Sequence, residues 1–138
     1  MSYLLDTGFW YALANRKEQQ HNSVVAVHRA LGQTDVYVPT PVITEVAYLI
    51  RRDMGAEALA KFLDLLPQSQ FAMVEPNHAD YRRAAIIIRK YSDAHIDFVD
   101  AVLVAIAERL EITRVLTLDQ RHFRLFRPSH CPTFEILP

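Results

Sequence analysis

A chain of 138 residues, 51% apolar, with a formal charge of −1 and one cysteine, Cys131, suits a single domain (1–138) able to bury a core. No apolar run reaches the ~18–20 residues of a membrane-spanning helix, so no membrane role is expected, and the near-neutral charge gives no global argument for nucleic-acid binding beyond a local basic patch. One cysteine cannot form an internal disulfide and fits a reducing compartment, and "MSYLLDTGFW" lacks the basic and apolar regions of a secretory signal, so the expected location is cytoplasmic.

Strand and helix patterns alternate along the chain. "YLLD" (3–6) reads as a strand ending at Asp6, and a helical stretch near 8–16 follows, whose Phe9, Trp10 and Tyr11 suit a core or a dimer interface. A second helical pattern spans 20–32 and leads to the strand "VYVP" (36–39). Thr40 before Pro41 predicts a capped helix start, with proline at the first helical position, over 41–53. Gly55 separates it from a helix near 55–66. "FAMVE" (71–75) is the third strand, and Pro76-Asn77 opens a helix over 77–91. "SDAHIDFVDAVLVAIAERL" places a helix over 98–111, with Asp97 as its cap and Glu108, Arg109 and Glu111 as its wet part. "RVLTL" (114–118), a short helix near 120–126 and "TFEIL" (133–137) complete the order. Several strand patterns are continuously apolar, as parallel strands covered on both faces are. The alternation predicts an α/β sandwich around a mostly parallel sheet of about five strands flanked by helices.

Such sheets bind ligands beyond the carboxyl ends of their strands. Asp6 ends the first strand and Asp119 follows the fourth, while Glu45 and Asp100 lie near the starts of helices that follow strands or their connections. Four carboxylates therefore share one edge of the sheet. Each has an ordinary explanation by itself: Asp97 and Asp119 as helix caps, Asp100 as a charge at the positive helix end, Glu45 as a solvated acid. Together they favour a site, because clustered carboxylates repel unless a cation or protonation relieves them. Oxygen ligands select hard ions, so Mg²⁺ or Mn²⁺ is expected before Zn²⁺. The six histidines lack zinc-site spacing and read as solvated or hydrogen-bonded, outside the cluster. A metal held by carboxylates points to phosphoryl or phosphodiester chemistry, with a metal-activated water as the economical nucleophile.

The ordered set "YLLDTGFWYAL", "PVITEVAYLI", "DFVDAVLVAIAERL" and "RVLTLDQRHF" resembles the PIN-domain ribonucleases, specifically the VapC-type toxins of type II toxin–antitoxin modules. The resemblance runs from Tyr3 to Phe123 in consistent order. It implies the PIN-domain three-layer sandwich and Mg²⁺- or Mn²⁺-dependent endonucleolytic cleavage of RNA, leaving a 5′-phosphate and a 3′-hydroxyl. It also implies a homodimer held silent by a small antitoxin. By that pattern Asp6, Glu45, Asp100 and Asp119 are the catalytic, metal-binding acids, with Asp97 as an auxiliary. The RNA groove is left to Arg51, Arg52, Arg82, Arg83, Arg121 and Arg124, each of which also suits a solvated helix face. Thr7 and Thr117 are placed to hydrogen-bond metal waters, or equally to cap and pack. Other readings remain: a PIN nuclease of RNA maturation, a fold retained as a binding module, or a metal-dependent phosphatase or phospho-acceptor domain. The last usually needs a second acid two residues after the first, where this chain has Gly8.

Overall fold

The computed structural model describes residues 1–138. Five strands form one wholly parallel sheet: β1 (Ser2–Leu5), β2 (Asp35–Pro39), β3 (Ala72–Val74), β4 (Arg114–Leu116) and β5 (Glu135–Leu137), in the spatial order β3-β2-β1-β4-β5. β1 is central. The chain steps outward from it through β2 and β3 on one side, then returns to place β4 and β5 on the other. The strand order therefore reverses between β1 and β4, the topological switch point where open α/β sheets leave a crevice.

Seven helices connect and cover the strands: α1 (Thr7–Ala14), α2 (His21–Leu31), α3 (Thr40–Met54), α4 (Ala56–Leu65), α5 (His78–Lys90), α6 (Phe98–Leu110) and α7 (Gln120–Leu125). All five strand patterns and all seven helical patterns are present, as the flanked parallel sheet anticipated from the sequence. β4 and β5 are shorter than their apolar runs, because ladder pairing ends at Leu116 in the first and begins only at Glu135 in the second. The start of α3 differs as well. Thr40 is its first helical residue, Pro39 sits at the cap position, and no side chain caps it. Proline cannot donate to the sheet ladder and its fixed φ suits either role, so the helix begins one residue early.

The core gathers Leu4 and Leu5 of β1, Val38 of β2, Val115 and Leu116 of β4, Phe9, and Phe123, Phe126 and Phe134 near the C-terminus. Phe9, Trp10 and Tyr11 are all buried in it. α6 is enclosed on every side from Asp100 to Ala107. Even Glu108, expected to be wet, is half-buried, with only 8% of its side chain exposed: Arg83 of α5 donates to both its oxygens (2.6 and 3.0 Å), and the Ser129 N–H donates to it at 2.7 Å. Burial works to raise its pKa, but these bonds together hold it below the usual carboxylate value. Arg109, one residue on, grips Asp80 of α5 with Nε and Nη2 at 3.0 and 2.9 Å. Two arginine–carboxylate pairs therefore clamp α5 to the last turn of α6.

Candidate active site

The switch point sets the site. β1 pairs with β4 through Leu4–Val115 and Leu5–Leu116, so the next residues, Asp6 and Thr117, emerge side by side. The Asp6 N–H extends the ladder to Leu116 O at 2.9 Å. The Thr117 hydroxyl donates to Asp6 Oδ2 at 2.7 Å, and accepts from the Asp119 N–H at 2.9 Å. Thr117 is fully buried and thus orders two acids at once.

α6 delivers the third acid through its N-terminal cap. The Asp100 N–H donates to Asp97 Oδ1 at 3.0 Å, and the Asp97 N–H donates back to Asp100 Oδ2 at 3.4 Å. This reciprocal pair satisfies two amides that the helix leaves unpaired. Glu45 comes from the second turn of α3. Asp119 caps α7 by accepting the His122 N–H at 3.1 Å.

Asp6, Glu45, Asp97, Asp100 and Asp119 line one cavity of about 430 Å³, together with Thr7, His95 and His122. The structure thus brings together every acid singled out in the sequence. The arginines are dispersed. Arg83 is held by Glu108 and Arg52 by Asp53 (2.7 Å). Arg51, Arg82, Arg121 and Arg124 are exposed with no carboxylate partner, and Arg121 lines a neighbouring polar cavity with Asp119.

The acids strain one another. Burial pushes the Asp6 carboxyl up to about 6, with Glu45 and Asp119 adding to the rise against the opposing Thr117 and Thr7 hydrogen bonds. Burial likewise raises Asp100 to about 7, helped by the charges of Asp97, Asp6 and Asp119. The carboxylates pay an electrostatic cost that a bound cation would remove. One further observation fits a cation: Thr7 is among the residues lining the cavity, and its Oγ1 is buried with no hydrogen-bond partner in the protein. Donor set, charge and orphaned hydroxyl all suit a divalent ion.

Sequence reasoning placed no histidine in this cluster, and the structure corrects that. His122 Nδ1 lies 2.8 Å from Asp119 Oδ2 and 3.6 Å from Asp100 Oδ2. The signal available in "DQRH" is the three-residue spacing from Asp119 to His122, which places both on one face of a helix start. The contact with Asp100 depends on tertiary structure.

Strand-end acids converging at the switch point of a five-stranded parallel α/β sandwich are the architecture of a PIN domain. The PIN-domain family profile matches residues 3–127, and the chain belongs to that family. It is 31% identical over 137 residues to ribonuclease VapC26 of Mycobacterium tuberculosis, an alignment spanning 98% of this chain and 99% of the relative. Among solved structures, VapC20 of M. tuberculosis, a toxin that cleaves the sarcin–ricin loop, superposes with a TM-score of 0.75 at 19% identity, covering 82% of this chain and 86% of that one. VapBC2 of Rickettsia felis, bound to a fragment of its promoter DNA, also gives 0.75, at 14% identity and full coverage of both chains. At those identities the superpositions bear on the fold.

Proposed function

We propose that residues 1–138 act as one domain, a metal-dependent endoribonuclease of the VapC toxin type, working in the cytoplasm. The observation that carries this is the convergence of Asp6, Glu45, Asp100 and Asp119 on one cavity, in a PIN-family chain similar over nearly its whole length to a VapC ribonuclease. These four acids are the catalytic and metal-holding residues in this reading. Asp97 is an auxiliary that shapes the entrance of α6.

Mg²⁺ or Mn²⁺ suits the carboxylate set; when bound, such an ion supplies positive charge that orients a phosphodiester, activates water and steadies the leaving oxygen. The chain's own contribution is placement. Thr117 aims Asp6 and Asp119, and the capping box aims Asp100. Exposed Arg121 beside Asp119 is the best placed of the basic residues to meet an RNA phosphate, with Arg51, Arg82 and Arg124 further candidates.

Two apolar surfaces support the two protein partners. A cleft of about 370 Å³ between α1, α2 and α4, lined by Trp10, Leu13, Phe62, Leu65 and Phe71, suits the apolar face of a small antitoxin. A toxin–antitoxin complex from Klebsiella pneumoniae is among the structurally similar chains, with a TM-score of 0.65 at 14% identity. A second groove, formed by Tyr48, Tyr81 and Phe98 beside Glu45, suits a second copy of this chain.

Incubation of the purified protein with single-stranded, looped and double-stranded RNA tests the reading. Cleavage of the first two is expected with Mg²⁺ or Mn²⁺, is stopped by EDTA, and leaves 5′-phosphate ends; duplex RNA should resist, its deep groove being hard to enter. Metal-independent cleavage, or a preference for small phosphomonoesters, would return the phosphatase reading.

A further inference from the structure

His122 stands inside the acid cluster, and the carboxylate reading leaves it unused. Its ring is held at both ends: Nε2 is 2.9 Å from the backbone oxygen of Ala94, and Nδ1 faces Asp119 Oδ2 at 2.8 Å and Asp100 Oδ2 at 3.6 Å. A carbonyl oxygen only accepts, so the Ala94 contact puts a proton on Nε2. In the neutral ring Nδ1 then presents a lone pair to two carboxylates. Three electron-rich atoms at these distances repel, and a cation among them converts the repulsion into ligation.

The surroundings match a histidine ligand in two respects. Metal-binding histidines commonly donate their other N–H to a backbone carbonyl, which fixes tautomer and ring orientation, and the Ala94 carbonyl is placed to accept it. Donors on adjacent corners of an octahedron with bonds of about 2.1 Å lie about 3 Å apart; the two separations from Nδ1 bracket that value. Ligand atoms of Asp100, Asp119 and His122 all fall within 4.8 Å of one another. Thr7, another residue lining this cavity, has a buried hydroxyl with no partner in the protein, an observation independent of the acids.

We propose that His122 Nδ1 is a direct ligand of the divalent ion, shared with Asp100 and Asp119, and that this nitrogen makes the site prefer Mn²⁺ to Mg²⁺. The inference rests on the metal reading of the acid cluster and deepens it. Mg²⁺ favours an all-oxygen shell, whereas a first-row transition ion accepts both carboxylate oxygen and imidazole nitrogen.

Pulsed electron paramagnetic resonance of the full chain loaded with one equivalent of Mn²⁺ reads the ligand atom directly. The expected result is a nitrogen coupling that changes when the histidines carry ¹⁵N and disappears in His122→Gln. It should persist in His95→Gln, since His95 is the other histidine on the cavity wall. Calorimetry with each metal alone should show the ratio of Mn²⁺ to Mg²⁺ affinity falling ~10–100-fold in His122→Gln. Mn²⁺ bound without a histidine coupling, as when His122 is an imidazolium paired with Asp119, overturns the proposal and leaves the acid site standing. So does a coupling that follows His95. A wild-type protein that binds no Mn²⁺ removes the metal reading itself. If His122→Gln does not fold, labelled wild type and His95→Gln decide: a coupling that survives without His95 supports the assignment, and its absence ends it.

Discussion

Two aspartates occupy the same position in two helices and meet opposite fates. Asp80 and Asp100 each stand three residues after a cap, Asn77 and Asp97, and each closes a reciprocal capping box. Asp80 is then neutralised by Arg109. Asp100 has no arginine or lysine partner and faces Asp97, Asp6 and Asp119 instead, which with burial raises it to about 7. A carboxyl whose folded pKa lies above its unfolded value of 3.8 binds more protons folded than unfolded. Stability therefore falls as pH rises through the interval from about 4 to 7, where Asp6, raised to about 6, acts in the same direction. The metal-free protein should be more stable at pH 5 than at pH 8, by on the order of a few kcal/mol shared between the two acids, and should melt at a correspondingly higher temperature. Glu108, held below its usual value, acts in the opposite sense but below that interval. Asp100→Asn should flatten the slope and hold or raise metal-free stability, since the amide oxygen still accepts the Asp97 N–H. Activity should nevertheless fall by orders of magnitude, because an amide is a poor ligand for a hard cation. Thermal melts across pH, with RNA cleavage alongside, check both; a fully active Asp100→Asn protein would remove Asp100 from the site.

Elements were more legible in the sequence than their ends or their mutual contacts. Apolar periodicity records burial, so five strands and seven helices stand where the pattern puts them. Asp97 and Asn77 are readable as caps because capping is local chemistry. Glu108 was misread because its partners, Arg83 and Ser129, lie 25 and 21 residues away, and a charge at the end of a helix carries no mark of being buried. His122 was missed for the same reason, with Ala94 28 residues distant. The acids of the site were legible because strand ends and the following helix starts share an edge in any parallel sheet, whatever the strand order. The α5–α6 clamp offers a test at this scale. Arg109→Ala leaves Asp80, 3% exposed, without its cation. A fully buried pair broken this way costs about 3–5 kcal/mol; with Arg109 a third exposed, a loss of about 2–3 kcal/mol is expected in urea unfolding. Metal affinity should change little, because the capping box that aims Asp100 is intact. A loss below about 0.5 kcal/mol would show that the Asp80–Arg109 pair adds nothing net to the packing of α5 on α6.

At the scale of the whole molecule, the two apolar surfaces lie on different parts of the sandwich, one on α1, α2 and α4, the other around α3, α5 and the start of α6. The second carries the proposed contact with a second copy of this chain. Tyr48, Tyr81 and Phe98 are 64, 44 and 50% exposed, Tyr81 stacks on Phe98 with centroids 6.3 Å apart, and the exposed Ile88 stands two turns on from Tyr81 on the same face of α5. Aromatic side chains spend little conformational entropy on association and dominate the centres of protein interfaces. The groove they form, of about 560 Å³, includes Glu45, which also lines the acid cavity. A second copy seated here would therefore set two acid cavities near one shared channel, doubling the surface on which RNA is held. Tyr81→Arg places a charge in the middle of that contact. The variant should elute as a monomer where the wild type is a dimer by light scattering, with metal affinity retained, since Tyr81 lines the aromatic groove and not the acid cavity. Its cleavage of long RNA should weaken more than its cleavage of a short oligonucleotide, because only the long substrate reaches both protomers. Leu65→Arg, in the other cleft, should leave the dimer intact and abolish inhibition by the antitoxin. A Tyr81→Arg protein that remains dimeric would move the homodimer contact to another face.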